Sequence, residues 1–319
     1  MQIKILLLLK RIFLRQFYSC SYICSGINFY PNNIIKTCCF TSSDDVNLCK
    51  INNDGTINYN ELNKNRKNLF NRLKKGDIPE CCKNCFALQK SSWIFSNAIK
   101  SIVLNYFMFC NLRCVHCGYL KKVRFKVDDT KDEFVFNIIK SLENKKLLTK
   151  DYIVDIGGGE PSINDKLDKI IDYLIRRGHK VHINSNIAKF KENYIYGINN
   201  NLIFLTLTPD AGSKEVYKKI KGVDYFDEMK ENLKKYMKRA SDKIEVKFIL
   251  EKGNISDIEN MIRLCLDCNV KKVVCSIDLN IKKEEYDFYK PYLTLFHNLC
   301  YKNGLNLKYS GLVPKEMLR

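Results

Sequence analysis

The chain has 319 residues, a formal charge of +19 from 54 Lys and Arg against 35 Asp and Glu, 15 Cys, one Trp and 45% hydrophobic residues. That apolar fraction excludes wholesale disorder, and the length fits one large domain or a core of roughly 200 to 250 residues with a small appended module. No apolar run approaches the roughly 18 residues of a membrane span, and the longest near the N-terminus, Ile5–Leu9, is too short for a secretory hydrophobic region and runs into Lys10 and Arg11. The chain therefore reads as cytoplasmic, where cysteines point to metal or cluster chemistry more than to disulfides. Lys, Asn and Ile are abundant throughout. The positive charge reads as a solvated lysine-rich surface, because no concentrated basic stripe with interleaved aromatics marks a nucleic-acid footprint.

Residues 1–97 form a Cys- and Asn-rich stretch of irregular texture, carrying Cys20, Cys24, Cys38, Cys39, Cys49, Cys81, Cys82 and Cys85. Ile5, Leu8, Leu9, Ile12 and Phe13, with Lys4, Lys10, Arg11 and Arg15, pattern a basic amphipathic helix that packs on the rest of the protein or lies on a membrane surface. Lys50 to Glu61 mimics a calcium loop, with Gly55 and Glu61 at its sixth and twelfth positions. Lys50 puts a cation where the first carboxylate ligand belongs, so a turn is expected instead. Cys82-Lys83-Asn84-Cys85 offers a CxxC, with Cys81 before it and Trp93 after. Together with Cys38, Cys39 and Cys49 this is a candidate second metal site, holding an auxiliary iron–sulfur cluster or a structural zinc ion; unligated thiols are the bland alternative. Cys20 and Cys24 are further candidate donors.

From residue 98 to 319 strand-like and helix-like segments alternate. Strands are expected at Ser101–Phe109, Tyr152–Ile156, Val181–Ile183, Ile203–Leu207, Val246–Leu250 and Val273–Ile277. Between them, Phe134, Ile138 and Leu142 recur at helical spacing. Leu167 to Ile175 marks an amphipathic helix ending at Gly178, and helices follow near Lys214–Lys219 and Phe226–Met237. Ser256 with Glu259 predicts a capping box opening another, and a last helix spans about Tyr286–Tyr301. Cys265 and Cys268 fall in register with Ile258 and Met261, and with Cys275 and Cys300 they read as small buried hydrophobes. Six strands each followed by a helix imply parallel β/α units, and six rather than eight suggest an open, partial barrel with its functional groups at the strand C-termini.

The first strand runs directly into Cys110-Asn111-Leu112-Arg113-Cys114-Val115-His116-Cys117. Three thiolates at this spacing can hold three irons of a four-iron cluster, leaving the fourth open to a substrate or cofactor, whereas three ligands alone close no structural zinc site. Two more strand ends carry chemistry. Gly157-Gly158-Gly159-Glu160-Pro161 lets backbone approach a ligand and offers a carboxylate to an ammonium group. Thr208-Pro209-Asp210 presents a hydroxyl and a carboxylate, with a turn or cap role for Asp210 as the alternative. Asn184, Ser185 and Asn186 end the third strand, as ligand contacts or as polar loop.

This CxxxCxxC loop after the first strand, followed by a GGE(P)-like motif after the second, resembles the radical S-adenosylmethionine (radical SAM) superfamily over about Ile102 to Leu307. The resemblance implies an α/β fold of the partial (β/α)6 barrel type with a small Cys-rich N-terminal module. It also implies a [4Fe–4S] cluster on Cys110, Cys114 and Cys117, and S-adenosylmethionine (SAM) chelated to the open iron. By the same resemblance, Gly158, Gly159 and Glu160 contact the SAM amino group, Thr208 and Asp210 reach the ribose, and His116 stacks near the adenine in place of the usual Tyr or Phe. Asn184 faces SAM or substrate. Tyr217 to Tyr236 reads as scaffold. No cysteine array follows Cys300, so the common C-terminal auxiliary-cluster domain is not expected.

The implied activity is reductive cleavage of SAM to a 5′-deoxyadenosyl radical that abstracts hydrogen from a peptide, a sugar nucleotide or another small metabolite. The electron comes from an external reductant of flavodoxin or ferredoxin type. A non-catalytic iron–sulfur redox or binding protein, and an RNA-modifying enzyme on the same scaffold motivated by the charge, are the rival readings.

Overall fold

The computed structural model describes residues 17–38, 43–83, 85, 87–91, 94–107, 109–117, 129–278, 281–311 and 313–318. Cys39, Trp93 and the amphipathic N-terminal stretch lie outside the described residues. The chain divides into two compact units, Met1–Phe107 with Asp128–Asp155, and Met108–Val127 with Ile156–Arg319.

The first unit gives regular structure to the irregular N-terminal texture. Its strands are β1 (Phe17–Ser19), β2 (Gly26–Tyr30), β3 (Ile34–Lys36), β4 (Asn47–Lys50), β5 (Gln89–Ser91), β6 (Ile99–Leu104) and β7 (Leu148–Ile156, whose last residue is counted with the second unit). Helices α1 (Ser21–Ser25), α2 (Tyr59–Lys74) and α3 (Asp129–Asn144) accompany them. β1 pairs antiparallel with β5, and the others are ordered β7-β6-β2-β3-β4, with β2 parallel to β6 and antiparallel to β3. The expected calcium-like loop is a turn in which Asn52 N–H donates to Thr56 O at 2.8 Å, and Asn58 then caps α2. Leu62, Leu69, Phe70 and Leu73 bury one stripe of α2, and Arg66 falls in the same stripe. β6 is shorter than the apolar alternation suggests. Its regular pairing ends at Leu104, and Tyr106 turns its hydroxyl onto Asp132 at 2.6 Å.

The second unit contains α4 (Asp165–Arg176), β8 (Lys180–Ser185), α5 (Glu192–Asn199), β9 (Ile203–Leu207), α6 (Lys214–Lys221), α7 (Phe226–Ala240), β10 (Glu245–Leu250), α8 (Ile258–Asp267), β11 (Lys272–Ile277), α9 (Tyr286–Lys302) and β12 (Asn306–Tyr309). The strands run in the order β12-β11-β10-β9-β8 and every adjacent pair is parallel. Asn164 caps α4 by accepting from Lys166 and Leu167 N–H, Asp165 and Asp168 favour its first turn, and Leu167, Ile170, Ile171, Leu174 and Ile175 bury its apolar face. The capping box expected at Ser256 does not form. A 3₁₀ turn over Ile255–Asp257 precedes α8, whose N-cap is Asp257 without a side-chain cap bond. The Asp257 carboxylate instead accepts from Gly212 N–H at 2.6 Å and Ser213 N–H at 3.0 Å. Cys265, Cys268, Cys275 and Cys300 are all buried, as their apolar register requires.

Among the described residues no helix is long and apolar enough to cross a membrane, and the strands do not close into a barrel.

Candidate active site around the three-cysteine loop

The functional residues of the second unit gather where β8, β9 and β10 end. The cysteine loop is fixed by backbone bonds to the end of α6: Arg113 N–H donates to Lys221 O at 2.7 Å, and Val115 N–H donates to Ile220 O at 2.9 Å. Gly222 follows with φ +71°, and a Cβ there would lie 2.7 Å from Arg113 Cβ, so the helix must end in glycine for the loop to lie against it. On its other side the loop meets the glycine segment. Glu160 N–H donates to Phe109 O at 2.7 Å, and a Cβ on Gly159 would lie 2.1 Å from that oxygen. The glycines thus serve close backbone approach to the residue before Cys110.

Cys110 Sγ receives Leu112 N–H at 3.4 Å and Asn186 Nδ2 at 3.5 Å. Burial pushes its thiol up to about 12, and the negative neighbours Glu160, Cys114 and Cys117 add to the rise. Burial also raises Cys114, where Lys221 opposes the rise while Asp210 and Cys117 favour it.

Glu160 is buried and fully engaged. Its Oε1 accepts from Ser162 N–H at 2.9 Å and Ser185 Oγ at 2.7 Å, and its Oε2 accepts from Asn186 N–H at 2.6 Å. Burial raises this carboxyl above its usual range, against the pull of those donors. The side chain joins the glycine segment to the end of β8, and through Asn186 it reaches Cys110.

Asp210 sits at φ +55°, a left-handed position that Asp tolerates, and is likewise consumed inside the protein. Its Oδ2 meets Lys221 Nζ at 2.5 Å, its Oδ1 accepts from Ile249 N–H at 2.8 Å, and the pair is 1% and 2% exposed. Burial opposes its charge, but Lys221 and His116 bring it below the ordinary carboxylate range. Lys221 Nζ also donates to Thr208 O at 2.8 Å, and Thr208 Oγ1 donates to Ser185 O at 3.1 Å. The His116 ring lies between two carboxylates, with Nδ1 3.2 Å from Glu251 Oε1 and Nε2 3.7 Å from Asp210 Oδ2.

Asn184 is the exception among the expected site residues, being exposed on β8 rather than drawn into this network. It pairs in register with Thr206, on the face that also carries His182 and Phe204. On β10, Lys247 alternates with the buried Val246 and Phe248. Burial lowers its pKa, partly offset by Asp210, and among the described residues no carboxylate forms an ion pair with it.

Sequence reasoning missed Lys221 and Glu251. Tyr217 to Tyr236 reads as scaffold, yet Lys221 stands four residues after the buried Tyr217, in the apolar register of α6. A lysine in that register was the available signal.

Among the described residues no three His, Cys, Asp or Glu side chains are already arrayed about one point to grip a metal ion, the loop cysteines included. The chemistry of the set nevertheless fits a cluster. It offers three thiols on a loop held at both flanks, an N–H···S donor on Cys110, and a third strand end tied to the same loop.

The sequence model of the Radical SAM superfamily matches residues 104–278, more than half of the chain. The chain belongs to that superfamily, whose members bind a [4Fe–4S] cluster and SAM, and its fold is their α/β partial barrel. A probable GTP 3′,8-cyclase of Sulfurisphaera tokodaii is 29% identical over 128 residues, 38% of this chain and 39% of that protein. Streptococcus suis SuiB bound to its precursor peptide SuiA superposes with a TM-score of 0.53 at 16% identity, covering 79% of this chain and 54% of SuiB. anSMEcpe with bound AdoMet and Cp18Cys peptide gives 0.50 at 14% identity, covering 66% and 62%. The chain thus spans about half the length of SuiB and less of the cyclase.

Proposed function

We propose that the chain is a radical SAM enzyme acting on a peptide, a sugar or another small metabolite, with residues 98–319 as its core and an external one-electron reductant. The observation that carries this reading is the anchoring of the cysteine loop on two sides, by α6 through Arg113 and Val115 and by the glycine segment through Phe109. When bound, the cluster and SAM supply the reductive cleavage that yields a 5′-deoxyadenosyl radical for hydrogen abstraction.

The chain supplies the rest. Cys110, Cys114 and Cys117 hold the cluster. Gly158 and Gly159 bring backbone to the SAM amino group, while Glu160 positions that segment against Ser185 and Asn186. Asp210 and Lys221 hold the end of β9, and His116 is held over the site by Glu251 and Asp210. The test is 5′-deoxyadenosine formation by anaerobically reconstituted protein with SAM and dithionite. Product from the native chain and none from the C110A/C114A/C117A variant is expected; equal product from both overturns the reading.

A further inference from the structure

The first unit gathers cysteines that are far apart in sequence. Cys20 is the N-cap of α1, its Sγ accepting from Ile23 N–H at 3.5 Å. Cys38 is brought beside the same helix. Its neighbour Thr37 donates from Oγ1 to Tyr22 O at 3.3 Å and from its N–H to Val46 O at 3.1 Å, while Cys38 O accepts from Asn28 Nδ2 at 3.0 Å. Cys82 and Cys85 are the ends of a tight CxxC turn in which Cys85 N–H donates to Cys82 O at 3.1 Å. Cys20, Cys24 and Cys82 are buried in one cluster with Val46, Leu69, Phe70 and Leu73, and Cys81 packs against it.

Cys81 Sγ lies 3.9 Å from Cys82 Sγ, so the CxxC turn presents its thiols at the edge of that buried cluster. Cys49 lies on β4, outside that buried cluster.

A second, independent observation concerns charge. Arg66 lies in the buried stripe of α2 and is 0% exposed. Its terminal nitrogens donate to Asn97 O at 2.9 Å and Ser96 O at 3.1 Å, its plane lies over the Phe95 ring at 5.4 Å, and among the described residues its Nε has no hydrogen-bond partner. Among the described residues no carboxylate pairs with it; burial lowers its pKa, and the neighbour that opposes this is the Cys24 thiol, itself 3.0 Å from Ser19 Oγ. A guanidinium in a core is normally compensated by an anion. Neutral thiols cannot supply one, whereas four thiolates around an iron–sulfur core leave a net negative charge.

We propose that Cys20, Cys38, Cys82 and Cys85 hold a second iron–sulfur cluster, and that the buried Arg66 guanidinium, beside Cys24, balances its negative charge. Cys82 and Cys85 supply the paired ligands of the CxxC turn, Cys20 and Cys38 the separated ones. Cys24 and Cys81 line the site without ligating, and Cys49 takes no part. The site is independent of the SAM-cleaving reading, because its ligands all lie within the first unit.

The test uses the full chain carrying C110A/C114A/C117A, reconstituted anaerobically, so that iron on the three-cysteine loop is not counted. About four irons with matching acid-labile sulfide per chain, and an electron paramagnetic resonance signal after dithionite, are expected. Adding Cys20→Ser or Cys82→Ser removes most of that iron, and adding Cys49→Ala leaves it. Arg66→Met shifts the midpoint potential of the residual signal downward, because reduction adds negative charge that a nearby cation favours, and Arg66→Lys restores it. No residual iron, zinc without sulfide, or iron indifferent to Cys20→Ser and Cys82→Ser overturns the proposal. Residual iron with no 5′-deoxyadenosine from the native chain would leave this site standing while the enzymatic reading falls.

Discussion

Replacing Lys221 by Met tests how the end of β9 is held. The Asp210–Lys221 pair is 1% and 2% exposed with a 2.5 Å contact, so removing the ammonium leaves a carboxylate in the interior with Ile249 N–H and a more distant His116 as its remaining support. Breaking a buried pair from one side costs about 3–5 kcal/mol, and the loss of the Nζ donor to Thr208 O adds to that. For a domain of this size the loss lowers the unfolding midpoint by on the order of 10 °C. The assay is thermal and urea unfolding of Lys221→Met, Asp210→Asn and the double variant, read as a double-mutant cycle. The double variant should recover part of the loss, since it buries no unpaired charge. Asp210 titrates below its unfolded value in the folded protein, so its contribution is present at neutral pH and fades as the pH falls below about 4. A single variant as stable as the native chain, or a double variant that loses the full sum of both singles, would refute the reasoning.

Gly159→Ala places a Cβ 2.1 Å from Phe109 O and must push the glycine segment off the cysteine loop; 5′-deoxyadenosine formation should fall by about 10²-fold or more, the scale of a roughly 1 Å misplacement. Glu160→Gln presents an amide N–H₂ to donors that now meet carboxylate oxygens, so at least one buried bond fails, stability falls by about 1–3 kcal/mol and the KM for SAM rises. Equal KM values for the native chain and the E160Q variant would show that β8 is held without this carboxylate. Cys265→Ala should leave iron content unchanged and lower stability by about 1 kcal/mol through the small cavity it opens; loss of iron would make that thiol a ligand.

The chain's local rules were legible from its residues alone. Periodicities of two and 3.6 located the strands and helices of the later part, because each element buries one face whatever it packs against. The CxxxCxxC and glycine segments could be read because their spacing is itself the chemical constraint. The N-terminal strands and α2 were less legible, being short, rich in Asn and organised by pairing between strands rather than by a long apolar repeat.

Partner choice could not be read from the residues and was decided by the tertiary structure. Glu160 and Asp210 carry carboxylates at the strand ends the motifs predicted, but apart from the local Ser162 N–H their hydrogen-bond partners are Ser185, Asn186, Ile249 and Lys221, residues 11 to 39 positions away. Cys20 is buried in one cluster with Cys82 and not with Cys49, and Arg66 is buried with no carboxylate paired to it among the described residues, because packing across the fold and not chain spacing chooses a buried group's neighbours. Sequence spacing specifies which groups share a turn or a face. Which groups meet across the fold follows from loop closures and sheet order that no local pattern encodes.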